Sequence, residues 1–555
     1  MSWLDAVRRL LGIAGPVKDP STNDKSMPQE KSTDLVSPVT PSTSRIASEH
    51  QPILREKQPN SLGKTGSSEG TAVPNRPEPP KKSTDFDAPI PSPKSQVSEH
   101  QSPPSEKQPI PFTGDMTQFP FTKPAAPKQL LNIGLDFGTA FTKVVIGETR
   151  TCYAVPFELK TSENPYLLPC ILYIDDSGTC ALQPLGESFK AISDLKMKLL
   201  EGTPDDQDLG RMVAFIALVF RHTRLWFFEK LRSTYEGRSL DWNVNVGVPT
   251  DSYHQEQLVT TYQLITKSAW ALSVIPDPVT IHAANQILTS VSHGRYSLPK
   301  RFAGLRERLI HKDAFGLFPE FVAQVAGYVR SPLRKPDLHM MVDVGAGTVD
   351  ISIFNVHEAD GDDIFPVFAK AVKPFGTHYL MKHRENKLPS GVNVKWSLHD
   401  KTPSQGEFLQ KVKIPLKQLK EIDNNFTMDI GTKVRDLLKY TKEKRYPCSP
   451  RWQCGVPTFL CGGGGKVDVY SELIGRFENS NHTYRIKLEQ LPQPQRLSAP
   501  QLPTGSYDRL SVAYGLSHNA LDIGRIIQAN EIDDHNIPPN NPDPYADNFV
   551  RMDDV

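Results

Sequence analysis

The sequence predicts an α/β protein with two similar lobes facing a cleft, preceded by a long disordered tail. Three observations predict it. From about Leu130 to Ile527 short apolar strands alternate with longer helical patterns, as in α/β proteins. Two hairpins of one design, each an apolar strand running into an Asp–Gly turn, stand far apart at Asp136 and Asp343. Residues 20 to about 128 are rich in Pro, Ser, Lys, Glu and Gln with few aromatic residues. Such a stretch buries too little apolar surface to offset its chain entropy.

The whole chain narrows the function classes. Its 555 residues carry 64 Lys+Arg against 63 Asp+Glu, a formal net charge of +1. That balance gives no strong pull toward nucleic acid, and no nucleic-acid partner is expected. The six cysteines form no C-x-x-C pair and no zinc pattern, so reduced thiols and a cytoplasmic location are expected. The longest apolar run, Met212 to Phe220, is ended by Arg221 and is too short to span a bilayer. The N-terminus lacks a signal peptide's apolar core and cleavage site.

The segments outside the globular part read as recruitment devices. Residues 1–14 contain a helix candidate, Ser2 to Ile13, with Ser2 as cap and Trp3, Leu4, Val7, Leu10 and Leu11 on one face. Docking into a partner protein's groove is the favoured reading; contact of residues 2–13 with a membrane surface is the alternative. The linker, residues 15–128, repeats itself: Lys31-Ser32-Thr33-Asp34 recurs as Lys82-Ser83-Thr84-Asp85, and Glu56-Lys57-Gln58-Pro59 as Glu106-Lys107-Gln108-Pro109. A drifting duplication explains the copies, and so do paired docking motifs that gain by tethering. Residues 528–555 are Pro/Asn/Asp-rich and expected to be loose.

Three segments carry the chemistry. In LNIGLDFGTAFTKVVIG, Leu131 to Gly147, a strand ends at Asp136 and a second begins at Phe141. Gly138 is required between them, because a Cβ there would block the turn and the approach of a phosphate. The turn's amides can then face an anion, and Asp136 is placed to hold Mg²⁺ through water. HMMVDVGAGTVDISIFNV, His339 to Val356, repeats the form with Asp343, Gly345, Gly347 and Thr348. One such loop from each side would clamp a triphosphate. In PTFLCGGGGKVDVY a strand ends in Gly462 to Gly465, which lets the backbone approach a flat or charged ligand.

These three loops, in this order, resemble the phosphate and adenosine motifs of the actin, sugar-kinase and heat-shock superfamily. Within it the chain looks most like the nucleotide-binding domain of the seventy-kilodalton heat-shock proteins. VNVGVPT (Val244 to Thr250), EFVAQVAGY (Glu320 to Tyr328) and VAYGLS (Val512 to Ser517) resemble that family's supporting segments. The resemblance implies two ribonuclease-H-like lobes around a nucleotide cleft, lobe I at 129–337 and lobe II at 338–527 with a reduced outer subdomain at about 377–455. It implies ATP and Mg²⁺ as ligands and slow ATP hydrolysis. Asp136 and Asp343 would order the metal's waters. Gly138, Thr139, Ala140 and Phe141 would contact the phosphates from one lobe, and Gly345, Ala346, Gly347 and Thr348 from the other. Glu320 and Asp350 would orient water, and Lys198, with Lys196 as rival, would face the γ-phosphate. Gly462, Gly463, Gly464 and Lys466 would line the adenosine side, with Asp508 near the ribose.

Departures qualify the resemblance. Ala346 replaces a glycine of D-x-G-G-G-T, where a positive φ would strain it. Ala140 replaces a threonine. The adenine-clamping helix has no clear match; Leu416 to Lys420 and Leu437 to Arg445 are the candidates. Only a short segment follows Gly515, too short for a peptide-binding domain with its lid. The expected function is therefore a nucleotide-gated switch acting on or with a partner protein. A binding scaffold with little turnover, an actin-like filament subunit and a small-metabolite kinase are the alternatives.

Overall fold

The computed structural model describes residues 117–119, 126–157, 163–202, 204–250, 253, 255–359, 362–389, 392, 394–479, 484–527 and 531. The proposed helix at 1–14, the linker repeats and nearly all of 528–555 lie outside them.

The first sheet is built on apolar strands whose buried residues run continuously, as strands covered on both faces require. β1 (Lys128–Phe137) pairs antiparallel with β2 (Phe141–Gly147), and β2 with β3 (Cys152–Ala154). β4 (Leu168–Pro169) lies beside β2. β5 (Leu172–Ile174), β6 (Cys180–Ala181) and β7 (Lys190–Ile192) form a separate small sheet. β8 (Ser239–Val248) and β9 (Phe315–Pro319) then add in parallel on the other side of β1. The helices Asp206–Lys230 and Glu256–Ser273 cover this sheet with Phe215, Phe220, Phe227 and Trp270. Asp205 caps the first of them, its side chain accepting from the Asp208 amide.

The second sheet repeats the plan. β10 (Asp337–Val344), β11 (Val349–Ala359) and β12 (Asp362–Lys373) are antiparallel, while β13 (Val456–Cys461) and β14 (Ile486–Glu489) add in parallel beside β10. Each sheet thus has the order third, second, first, fourth, fifth, with the same strand directions. This is the two-lobed α/β fold expected. The outer insertion between β12 and β13 carries the helices Thr377–Lys387, Gln405–Val412 and Leu416–Tyr440. It has its own small core of Met381, Val394, Phe408, Val412 and Leu419.

Three expectations are corrected. The linker does not run intact to 128: Phe119 is buried edge-on against Phe228, and Trp242 Nε1 donates to the Thr117 carbonyl. One aromatic residue outweighed the polar composition around it. Lobe II is not continuous from 338 to 527. β15 (Leu497–Ser498) pairs with β3 of the first sheet, and β16 (Arg525–Ile527) returns to β12. Conversely, the helix Glu320–Val329, counted with lobe I, packs its Phe321, Val325 and Tyr328 on the second sheet. The helix Ser511–Leu516 lies against β1 and crosses that helix where a Cβ on Gly515 would meet the Ala323 carbonyl at 1.9 Å. The two helices cross at one seam between the sheets. Finally, Ala346 is not among the residues of positive φ, so the strain expected there is absent.

Candidate functional site

A cleft of about 880 Å³ opens where the two Asp–Gly hairpins meet. Each hairpin turn has its carbonyls engaged from behind. In the first, Cys170 donates from its amide to Ala140 O (2.8 Å) and from its thiol to Gly138 O (3.0 Å). In the second, the opening amides of the helix Thr377–Lys387 and the residue before it donate to Gly345, Ala346 and Gly347 carbonyls. A helix start has unpaired amides to offer. Among the described residues the amides of Thr139, Ala140, Ala346 and Gly347 donate to no backbone carbonyl. Tied carbonyls and free amides are what an anion-binding turn needs.

Gly138 is necessary as expected: a Cβ would meet the Phe141 carbonyl at 2.5 Å. Gly462, at φ 79°, stands so close that a Cβ would meet Asp343 Oδ1 at 2.1 Å. The glycine-rich loop therefore lies directly on the second carboxylate. The turns themselves abut, since Gly347 lies beside Thr139 and Met197.

Charged groups inside the cleft are paired across elements. Lys143 Nζ lies 2.8 Å from Asp136 Oδ2. Lys196 Nζ lies 2.8 Å from Glu320 Oε1, joining the first lobe to the first residue of the helix Glu320–Val329. Burial disfavours the Lys196 charge, but Glu320, Tyr262 and Asp136 together offset it and hold the ammonium above its usual range. Gln324, one turn after Glu320, donates to Asp343 Oδ2 at 2.9 Å. Burial and the Glu320 charge push Asp343 up to about 6. Asp350 is raised further, by burial and then by Glu320 and Asp343. Its Oδ1 and Gln324 Oε1 are buried without hydrogen-bond partners.

Most of the expected site residues line this cleft: Asp136, Gly138, Thr139, Ala140, Phe141, Glu320, Asp343, Gly345, Ala346, Thr348, Asp350, Gly462, Gly463, Lys466 and Asp508. Gly347 and Gly464 stand behind the lining. Lys198 is the exception that needs correction. It is exposed on the helix Leu195–Leu200, whereas Lys196 on the same short helix is buried in the cleft. Helical geometry points residues two apart to different faces, and the K-x-K pattern alone could not say which faces inward. Neither candidate for the adenine clamp lines the cleft; the segment Leu398 to Ser404 does, with His399 edge-on to Phe141 at 6.1 Å. Lys143, Gln324 and Arg509 were missed. Lys143 was discoverable, because hairpin pairing sets it opposite Asp136.

Among the described residues no three His, Cys, Asp or Glu side chains form a metal cage. Mg²⁺ takes one or two carboxylates and leaves the rest to water and phosphate, and Asp136 and Asp343 at this cleft would supply those two. The unpartnered oxygens of Asp350 and Gln324 would accept from such waters.

No family model matches this chain, and no curated protein matches it. Among solved structures, MreB5 of Spiroplasma citri bound to AMPPNP covers 70% of this chain and 94% of its own, with 12% identity and a TM-score of 0.36. The ADP-bound form of the same protein gives 11% identity and a TM-score of 0.37. Likeness at that level has no bearing on activity. Among the described residues no helix is long and apolar enough to cross a membrane.

Proposed function

We propose that this chain binds a Mg²⁺–nucleoside triphosphate between its lobes and hydrolyses it slowly, the closure and opening of the cleft serving as a conformational switch. The observation that carries the reading is the meeting of two anion-ready turns, each preceded by a strand-end carboxylate, Asp136 buried and Asp343 half-buried, at one cleft spanned by Lys196 and Glu320. In this reading the free amides of both turns hold the phosphates. Asp136 and Asp343 orient the metal's waters, and bound Mg²⁺ supplies charge neutralisation. Glu320, with its carboxylate held by Lys196, and Asp350 position the attacking water. Lys466 and the loop Gly462–Gly464 face the nucleoside, with Asp508 beside Lys466 at 3.7 Å. ATP is the nucleotide implied by the resemblance.

The topology is common to every branch of the superfamily, so it supports the cleft and not a branch. The heat-shock-type partner switch rests on motif order. The actin-like filament subunit uses the same cleft and is tested by sedimentation with Mg-ATP. Turnover of Mg-ATP in wild type, Asp136→Ala and Asp343→Ala tests the site itself. Each substitution should abolish turnover; turnover surviving both removes the proposed site.

A further inference from the structure

Five cationic side chains line the cleft, and one of them differs from the rest. Lys143, Lys196, Lys401 and Lys466 each have a carboxylate within 4 Å: Asp136, Glu320, Glu163 and Asp508 respectively. The Arg509 guanidinium makes no hydrogen bond or ion pair among the described residues. It lies instead over the Phe141 ring, 5.7 Å from the centroid, and against Gly463, where a Cβ would stand 2.9 Å from Nη1. Its neighbours are thus the turn of one lobe and the glycine loop of the other.

A half-buried guanidinium with carboxylates in reach but none in contact has its donors unsatisfied by protein, and a ligand anion in the cleft would satisfy them. The planar fork suits a phosphate through two parallel hydrogen bonds. We propose that Arg509 is a phosphate-binding residue, donating across the cleft to the phosphate chain of the bound nucleotide. The inference rests on the nucleotide reading above.

Its contact with Phe141 sets it where the nucleoside-facing loop meets the first phosphate turn. Phe141 opens β2 directly after the turn Gly138–Ala140, and Gly463 follows the glycine that touches Asp343. Burial lowers the Arg509 pKa, and the charges of Asp508, Asp136 and Asp343 act against that lowering, so the guanidinium is within electrostatic reach of both metal-side carboxylates. It also sits two residues before the helix Ser511–Leu516, on the segment that a closing cleft would move.

Titration calorimetry of the full chain with Mg-ATP and with adenosine, for wild type, Arg509→Gln and Arg509→Lys, tests the assignment. Arg509→Gln should weaken Mg-ATP about tenfold or more, the loss of a charge-assisted pair, and leave adenosine unchanged. Arg509→Lys, which keeps charge without the fork, should lose less. Unchanged Mg-ATP affinity in Arg509→Gln overturns the assignment, as does an equal loss for adenosine, which would put the guanidinium on the base. Should Arg509→Gln fail to fold, Arg509→Lys must still lose Mg-ATP affinity selectively, and equality with wild type overturns the proposal. Wild-type chain that binds neither probe sinks the nucleotide reading itself, a distinct result from wild-type binding with an indifferent Arg509.

Discussion

The two Asp–Gly hairpins share strand order, register and turn, yet they differ at two points. The first turn is tied from behind by one cysteine, the second by the start of a helix. Opposite Asp136 on the paired strand stands Lys143; opposite Asp343 stands Asp350. The first hairpin is therefore neutralised within itself, while the second concentrates buried acid that nothing on its own strands compensates. The difference teaches that a turn's carbonyls can be engaged from behind equally by one cysteine or by the start of a helix. It also polarises the cleft: the second lobe has more uncompensated acid to gain from an incoming cation than the first.

The comparison breaks most sharply at the paired positions. Lys143→Met removes the partner of a carboxylate that is only 8% exposed, and should cost about 3 kcal/mol of stability. Asp350→Asn removes a charge that burial already disfavours, and should leave stability within about 1 kcal/mol of wild type or raise it. Urea unfolding of both variants decides; equal losses would mean the two hairpins are electrostatically alike after all. Cys170→Ala releases the Gly138 carbonyl and should cost about 2 kcal/mol, with weaker Mg-ATP binding, read by the same unfolding and by calorimetry.

Two buried histidines give a pH test. His339, between Tyr328 Oη and the Asp337 carbonyl, and His518, at the end of the helix Ser511–Leu516, are both lowered by burial to about 4. The unfolded chain takes up protons first as pH falls from 6.5. Their contribution is therefore complete above 6.5 and is lost progressively toward pH 4, by up to about 1.4 kcal/mol per unit for each histidine. Thermal melts between pH 4 and 7 should show that slope, and His518→Asn should flatten it.

The smallest effect is expected at Ala346. Its φ is not positive, so Ala346→Gly relieves nothing and should cost about 0.5–1 kcal/mol through added chain freedom. A gain in stability or in Mg-ATP affinity would restore the view that alanine is strained there.

Local chemistry made the two hairpins, the glycine loop and the helix Glu320–Val329 legible in the sequence. An apolar strand broken by Asp and Gly has few alternatives to a turn, and that pattern survives without knowledge of neighbours. What crosses between distant segments did not show. Lys196 rather than Lys198 faces the cleft because a short helix packs one side inward. Cys170 reads as an isolated thiol until the fold sets it behind Gly138. Arg509 follows Asp508 without any local sign that one lysine occupies the acid and the arginine stays unpaired. The same holds for β15 returning to the first sheet and for Phe119 closing onto Phe228. The sequence by itself determined where the strands turn and where the carboxylates stand, because turn geometry depends on residues a few places apart. Only the tertiary structure decided which cations face them and which stay unpaired, because ion pairing and burial depend on segments hundreds of residues apart coming to one seam.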